Sequence, residues 1–445
     1  MNKKKLLSGV TALCMSAALL LQPVLAAAPA LPEGWKNPFP DVPDNEWFTP
    51  FIANLYTNGI INGYDNGNFG PRDKAYAGQA ILMAVRAAGS GNLPLQPGDK
   101  HWASPYVRYA VEHGWLDAEQ VPKDLNGPVS RFFICRLISK ALCLQPSPNP
   151  SPFADLSHNY ITAVYEAGIV SGVRENGKLY FKPDDGLTRD QLSVIIYRVL
   201  EYMDSHIRVH NQMVDVIPGL PVFSYDRESF RPEDGRMTCN DEGVRVEQGI
   251  DVSKNQGEVN WGRVARDGID FAIVRVGGRG YGTGVLYEDP FCEVNLTGAK
   301  NAGLEVGAYF FSQAVSVREA EEEARYVLER LRGHQIDGPV VFDWEHIRND
   351  EARTDSTEGK TLTAMADAFC RIIREAGYEP MIYMNPDLAY LSYDLAEVAE
   401  YPLWISEYKD RPSFRYDMSM WQYSDRGSVD GIQGNVDLNI RLSHK

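Results

Sequence analysis

Val340-Val341-Phe342-Asp343-Trp344-Glu345 is the stretch on which the fold turns. Three apolar residues in succession, followed by carboxylates at alternate positions, describe a buried strand whose acids gather at its C-terminal end. Side chains alternate along a strand, so Asp343 and Glu345 share one face, about 6 to 7 Å apart. Seven more strand-like runs surround it, at 250–252, 271–276, 305–311, 380–384, 403–407, 418–423 and 436–439. Helical patterns at 260–267, 289–302, 317–332 and 362–376 separate the early ones, the last two stopped by Gly333 and Gly377. Strand and helix in alternation imply parallel pairing through right-handed crossovers. Eight strands predict an α/β barrel of irregular (β/α)8 type, its last connections too short for full helices.

In such barrels the chemistry collects at the C-terminal ends of the strands. Asp251, Asp343, Glu345 and Asp437 fall there. Neighbouring carboxylates do not ionise independently, so one member of the Asp343/Glu345 pair stays protonated at working pH, the state a glycosidase acid requires. Asp-x-Glu alone also marks exposed strand edges and calcium sites; the apolar flank and the acids on other strands turn it into a site. Tyr309, Tyr383, Trp404, Tyr408 and Trp421 lie near strand ends, where flat rings pack the apolar faces of sugars, although each taken singly also reads as a core aromatic. Gly277-Gly-Arg-Gly-Tyr-Gly-Thr-Gly284 lacks the order of a phosphate loop and reads as a flexible loop at the cleft rim. No histidine, His334 and His346 included, has metal-ligand spacing, and no Gly-x-Ser-x-Gly elbow occurs. No metal and no cofactor are expected.

The whole chain has 445 residues, Lys+Arg 44 against Asp+Glu 60, a net charge of −16 and 44% hydrophobic residues. That length means several domains, and that charge excludes a non-specific binder of nucleic acid. Residues 1–28 read as a signal peptide: Lys3, Lys4 and Lys5, an apolar run over 6–21, then Ala26, Ala27 and Ala28. Secretion is expected. No later stretch approaches the ~18 apolar residues of a membrane span. With Cys14 set aside in the leader, the remaining Cys135, Cys143, Cys239, Cys292 and Cys370 are odd in number and scattered, and read as buried thiols rather than a disulfide framework or zinc site.

Upstream of the barrel three segments share a frame. Trp47-Phe-Thr-Pro-Phe51-Ile52 ends at Gly59, Trp102-Ala-Ser-Pro-Tyr106-Val107 at Gly114, and Leu156-Ser-His-Asn-Tyr160-Ile161 at Gly168. Glycines 55 and 54 residues apart mean repeated units that stack on each other. Each opens with a short helix and runs through a turn-rich loop to a second one, over 80–88, 132–142 and 192–202. The repeat resembles the S-layer homology module through Phe39-Pro-Asp41, Gly59-Ile-Ile-Asn-Gly63 and Phe69-Gly-Pro71, and through Phe153-Ala-Asp155, Gly168-Ile-Val-Ser-Gly172 and Phe181-Lys-Pro183. That resemblance implies an all-α-rich module binding an anionic secondary cell-wall polymer, through the basic residue of a tetrapeptide opening the second helix. It is Arg189 in Thr188-Arg-Asp-Gln191 and Arg131 in Ser130-Arg-Phe-Phe133; Tyr76-Ala-Gly-Gln79 has none. The departure puts the first unit's groove in question, with Arg72 or Lys74 as upstream substitutes. A spacer whose arginines pair with local acids such as Asp185 and Asp190 is the competing reading.

The barrel resembles the glycoside hydrolase family 25 muramidases through Gly249-Ile-Asp-Val-Ser253, Gly307-Ala-Tyr-Phe-Phe311, Val341-Phe-Asp-Trp-Glu345, Trp404-Ile-Ser-Glu-Tyr408, Trp421-Gln-Tyr-Ser424 and Val436-Asp-Leu-Asn439. The resemblance implies cleavage of the β-1,4 bond between N-acetylmuramic acid and N-acetylglucosamine in the peptidoglycan glycan strand. It makes Glu345 the general acid, Asp343 the partner that stabilises the cationic centre or orients the acetamido group, and Asp251 and Asp437 supporting acids. The expected organisation is a signal peptide (1–28), repeats at 39–89, 95–144 and 151–203, a linker (204–247) and a catalytic barrel (248–445), held at the wall of a Gram-positive-type bacterium. A wall-anchored structural or glycan-binding protein with an inactive barrel is the rival.

Overall fold

A computed structural model describes residues 28–445; the signal peptide expected over 1–28 falls, Ala28 apart, outside the described residues. The chain divides into two compact units, one ending at Val216 and one running from Ile217 to Lys445.

The second unit is the barrel. Its strands are β1 (Val244–Val252), β2 (Phe271–Arg279), β3 (Glu305–Ser312), β4 (Val340–Trp344), β5 (Pro380–Met384), β6 (Leu403–Ser406), β7 (Met420–Gly427) and β8 (Val436–His444). Each pairs with the next, and β8 returns to β1, closing the ring. The pairs from β1 to β7 are parallel, whereas β8 is antiparallel to both its neighbours. The cause is the short 428–435 connection, which has no room for a crossover helix, so the chain must turn straight back. Helices Trp261–Arg266, Cys292–Asn301, Val317–Arg330 and Gly359–Glu375 occupy the earlier connections. Phe271, Ile273, Val341, Met381, Tyr383, Trp404 and Met420 fill the barrel. Gly249 lets the first two strands approach: a Cβ there would meet the Phe271 ring at 2.1 Å.

The first unit holds three helix–loop–helix segments, Thr49–Thr57 then Ala77–Ala87, Ser104–Glu112 then Arg131–Ala141, and Asn159–Glu166 then Arg189–Ser205, and the second helix of each packs on the leading helix of the next, the last returning to the first. Gly59, Gly114 and Gly168 end the leading helices at φ values of 69°, 69° and 73°, a left-handed conformation that costs glycine least. Bridges Lys74–Thr188, Tyr76–Pro128 and Ser130–Gly186 join the three loops in a cycle, around one shared core. Asp41 accepts the Phe69 and Gly70 N–H groups at 2.7 Å, and Asp155 accepts those of Phe181 and Lys182 at 2.7 Å; this is what the Phe-x-Asp spacing does. The unit is not all helix, because antiparallel hairpins form at Val173–Glu175 with Lys178–Tyr180 and at His206–Val209 with Gln212–Asp215.

The expected linker over 204–247 is folded. Its first part is the His206–Asp215 hairpin of the first unit, where Arg208 lies 5.2 Å over the Trp115 ring. From Ile217 the chain packs on the barrel: Phe223 N–H donates to Arg415 O at 3.0 Å, and the fully buried Phe230 opens a hairpin, Phe230–Glu233 with Arg236–Cys239, against Trp421. Residues 244–247 already belong to β1. Four-residue strands carry too few side chains for a readable period, so prolines and mixed charge dominated the reading. The five cysteines among the described residues are free, but Cys143 and Cys239 are half-buried rather than buried.

Candidate active site

Strand ends assemble the acids. Asp251, one residue before the end of β1, is 6% exposed; its Oδ2 accepts from Gln422 Nε2 and Asn439 Nδ2, both at 2.8 Å. Asp437 is the direct cross-strand partner of Asp251, placed there because β8 runs antiparallel and begins where the other strands end. Asp343 on β4 is 5% exposed, and its Oδ1 is buried without a hydrogen-bond partner. Glu345 stands one residue past β4, half-buried, its main-chain oxygen accepting from Gln313 Nε2 at 2.7 Å.

Burial dominates the titration of all four. It raises Asp343 far above the usual carboxylate range, with the charges of Glu345 and Asp251 adding and Arg275 opposing. Burial pushes Glu345 up to about 7, against the pull of Arg348 and with a push from Asp251. Asp437 is pushed up to about 8 by burial, then by Asp251, Asp425 and Glu345. Asp251 rises only to about 6, because its hydrogen bonds from Asn439 and Gln422 favour the carboxylate. Each group feels another, so protons leave the cluster as a set. Near neutrality this environment holds proton donors and a carboxylate side by side.

The expected aromatics divide. Tyr408 is 52% exposed, and its hydroxyl donates to Gln422 Oε1 at 3.0 Å. Tyr383 donates to the same oxygen at 2.9 Å and is nearly buried, while Tyr309 is half-buried beside Trp404. Burial lifts the Tyr309 hydroxyl well above its ordinary range, so it keeps its proton. Trp404 and Trp421 do not face an open cleft. Trp404 is 2% exposed inside the barrel, donating from Nε1 to Asn439 Oδ1 at 2.8 Å. Trp421 is fully buried against Phe230 and Tyr423, donating to Glu407 O at 2.7 Å. Alternation explains it: Gln422 faces inward to Asp251, so Trp421 faces out. Gln422, Asn439 and Arg275 were missed as site residues. The first two lie within the motif blocks, and alternation along β7 was the signal that finds Gln422.

In the first unit the two arginines reach across segments. Arg189 donates to Phe69 O (2.8 Å) and Asn62 O (3.2 Å) and packs over Tyr64 and Phe69. Its guanidinium lines a groove of about 510 Å³ with Tyr64, Gln79, Arg86 and Trp102. Arg131 donates to Phe181 O (2.9 Å) and Ser171 O (2.7 Å), lining a groove of about 380 Å³ with Trp47, Gln191 and Arg198. The first segment's groove is thus supplied by Arg189 of the third. With Ala77 at the tetrapeptide position, the hollow of the middle segment, about 170 Å³ at Trp115, Leu116, Phe133 and Lys140, receives no arginine from the first segment; its arginine is Arg136, from its own second helix. Arg72 is no substitute, since it pairs with the buried Asp190 at 2.9 Å and lies over Phe48.

Against known proteins, the model of glycosyl hydrolases family 25 matches residues 250–432, and the S-layer homology domain matches 38–75 and 155–193. The segment 95–144 is not matched. An uncharacterized protein, YegX of Escherichia coli K12, is 33% identical over 201 residues, 43% of this chain and 68% of its own. The autolytic lysozyme of Clostridium acetobutylicum is 27% identical over 43% of this chain and 55% of its own length, and lysozyme M1 of Streptomyces globisporus 29% identical over 43% and 66%. The chain therefore spans little more than half of the clostridial relative. The family match falls on the barrel and takes in Asp251, Asp343 and Glu345, and through this domain the chain belongs to glycosyl hydrolases family 25, with S-layer homology segments in its first unit.

Proposed function

We propose that the protein is a secreted hydrolase held at the cell wall, cleaving the β-1,4 bond between N-acetylmuramic acid and N-acetylglucosamine of peptidoglycan. The observation that carries this reading is the Asp343/Glu345 pair at the end of β4, with one Asp343 oxygen buried and unpartnered and Glu345 pushed up to about 7. Glu345 is the general acid: neutral at working pH and half-open, it protonates the leaving glycosidic oxygen. Asp343 turns its free oxygen to the sugar, orienting the acetamido group or stabilising positive charge at the reacting carbon. Asp251, kept most acidic by Gln422 and Asn439, and Asp437 set the field around them. Tyr309, Tyr383 and Tyr408 line the approach. The lysozyme relatives support the same chemistry.

Residues 95–144 are a diverged third S-layer homology unit, a reading supported by its helix–loop–helix and its place in the cycle of bridges. Arg131 and Arg189 mark two polymer-binding grooves, each combining a guanidinium, a tryptophan and a second arginine, a set suited to a sugar carrying a carboxylate. An acidic chain needs such local contacts to settle on an anionic wall. Digestion of purified sacculi with analysis of the new reducing ends tests the proposal. N-acetylmuramic acid ends are expected; N-acetylglucosamine ends or peptide cuts alone identify another bond, and binding without release favours the inactive-barrel rival.

A further inference from the structure

The glycine-rich run 277–284 is not a free loop. Gly277, Gly278 and Arg279 pair antiparallel with Leu286–Glu288. A Cβ on Gly277 would meet the Tyr287 carbonyl oxygen at 2.1 Å, and one on Gly278 would meet Tyr287 Oη at 2.5 Å. Both glycines are therefore demanded by Tyr287, the first by its backbone and the second by its phenol.

The row in which this happens is the catalytic one. Gly278 pairs with Phe311, and Phe311 with Asp343. Strands lie ~4.8 Å apart, so the Gly278 and Asp343 backbones are separated by about 10 Å. Residues level with one another across a sheet project to the same face, and Asp343 projects into the site. The Tyr287 hydroxyl fills the space that a side chain at 278 would take on that face. Tyr287 stays 37% exposed, and the charges of Arg275 and Asp343 both reach it. The hairpin is braced from outside: Tyr281 Oη donates to Asp350 Oδ2 at 3.0 Å, Arg353 N–H donates to Tyr281 O at 3.0 Å, and the Arg353 guanidinium pairs with Glu319 at 2.7 Å. Its turn is tied in this way to the loop that follows Glu345.

We propose that Tyr287 is a sugar-binding residue, its open ring receiving a pyranose of the glycan strand next to the one over Asp343 and Glu345. A fixed aromatic about two strand spacings from the reacting carboxylate stands one sugar ring away from the bond that is cut. This inference rests on the hydrolase reading above, which it extends by adding a subsite on the β2 side.

The test uses the full chain with Tyr287→Ala, Tyr287→Leu and Tyr287→Phe. With soluble glycan oligomers, Ala and Leu are expected to raise KM about tenfold, the loss of one ring contact, with kcat changed less than about twofold. Phe keeps the wild-type KM. Gly278→Ala, which displaces the phenol, raises KM in the same direction. Calorimetric binding of an alternating N-acetylglucosamine/N-acetylmuramic acid tetrasaccharide to Glu345→Gln, with and without Tyr287→Leu, reads the contact without turnover. An unchanged KM in folded Tyr287→Ala and Tyr287→Leu proteins, or equal tetrasaccharide affinity in both backgrounds, overturns the proposal. An inactive wild type that also fails to bind the tetrasaccharide overturns the hydrolase reading instead.

Discussion

Replacing Glu345 with Gln removes an ionisation that the fold resists. The carboxyl moves from its ordinary 4.5 up to about 7, chiefly through burial. At about 1.4 kcal/mol for each pH unit of displacement, holding the charged form costs the barrel about 3 kcal/mol; the open side of Glu345 reduces this to about 2 kcal/mol. A raised folded value means that the neutral acid's contribution is fully present below the unfolded value and lost as pH rises through about 7. Wild type and Glu345→Gln should therefore be equally stable near pH ~4, and the Gln protein more stable by about 2 kcal/mol near pH ~9. For a unit of this size that is a rise in Tm of about 4 to 8 °C. Differential scanning calorimetry of the whole chain at both pH values reads it, with the first unit as an internal standard that should not move. The same variant should lose about 10²-fold or more in turnover, so stability and activity move in opposite directions. A Tm difference that is equal at both pH values, or absent at both, would refute the argument that Glu345 is a desolvated acid.

The hydrolytic rate should fall as pH rises through about 7, where Glu345 loses its proton; Asp343→Asn should lower kcat more than it raises KM, and an unaltered pH–rate profile in that variant would remove the coupled pair. Trp421→Ala should destabilise the barrel by about 3 to 5 kcal/mol, measured by denaturant unfolding, whereas Tyr408→Ala should leave stability nearly unchanged and weaken substrate binding. Arg131→Ala/Arg189→Ala should release the protein from sacculi that keep their secondary polymer. Arg189→Ala should also lower the first unit's transition by about 1 to 3 kcal/mol, because it strips the Phe69 and Asn62 carbonyls of their donor; full retention on sacculi would reassign the anchor. The Tyr287 experiment completes the set.

The eight barrel strands were legible because apolar alternation records which face of a strand is buried, and the 55-residue frame of the helix pairs because stacking repeats reuse one spacing. The four carboxylates were legible as candidates because acids close apolar runs on several strands at once, which a single exposed strand edge does not explain. Partnership was not written in local pattern. That β8 runs antiparallel and sets Asp437 against Asp251 follows from how the barrel closes, which joins residues 186 apart in sequence. That Gln422 and Asn439 hold Asp251, that Trp404 and Trp421 are covered, and that Arg189 serves the first segment's groove rather than its own depend on neighbours brought in from distant strands and segments. Residue types and their periods are properties of the sequence; desolvation, which lifts Glu345 to about 7 and leaves one Asp343 oxygen bare, exists only once the tertiary structure has excluded the water.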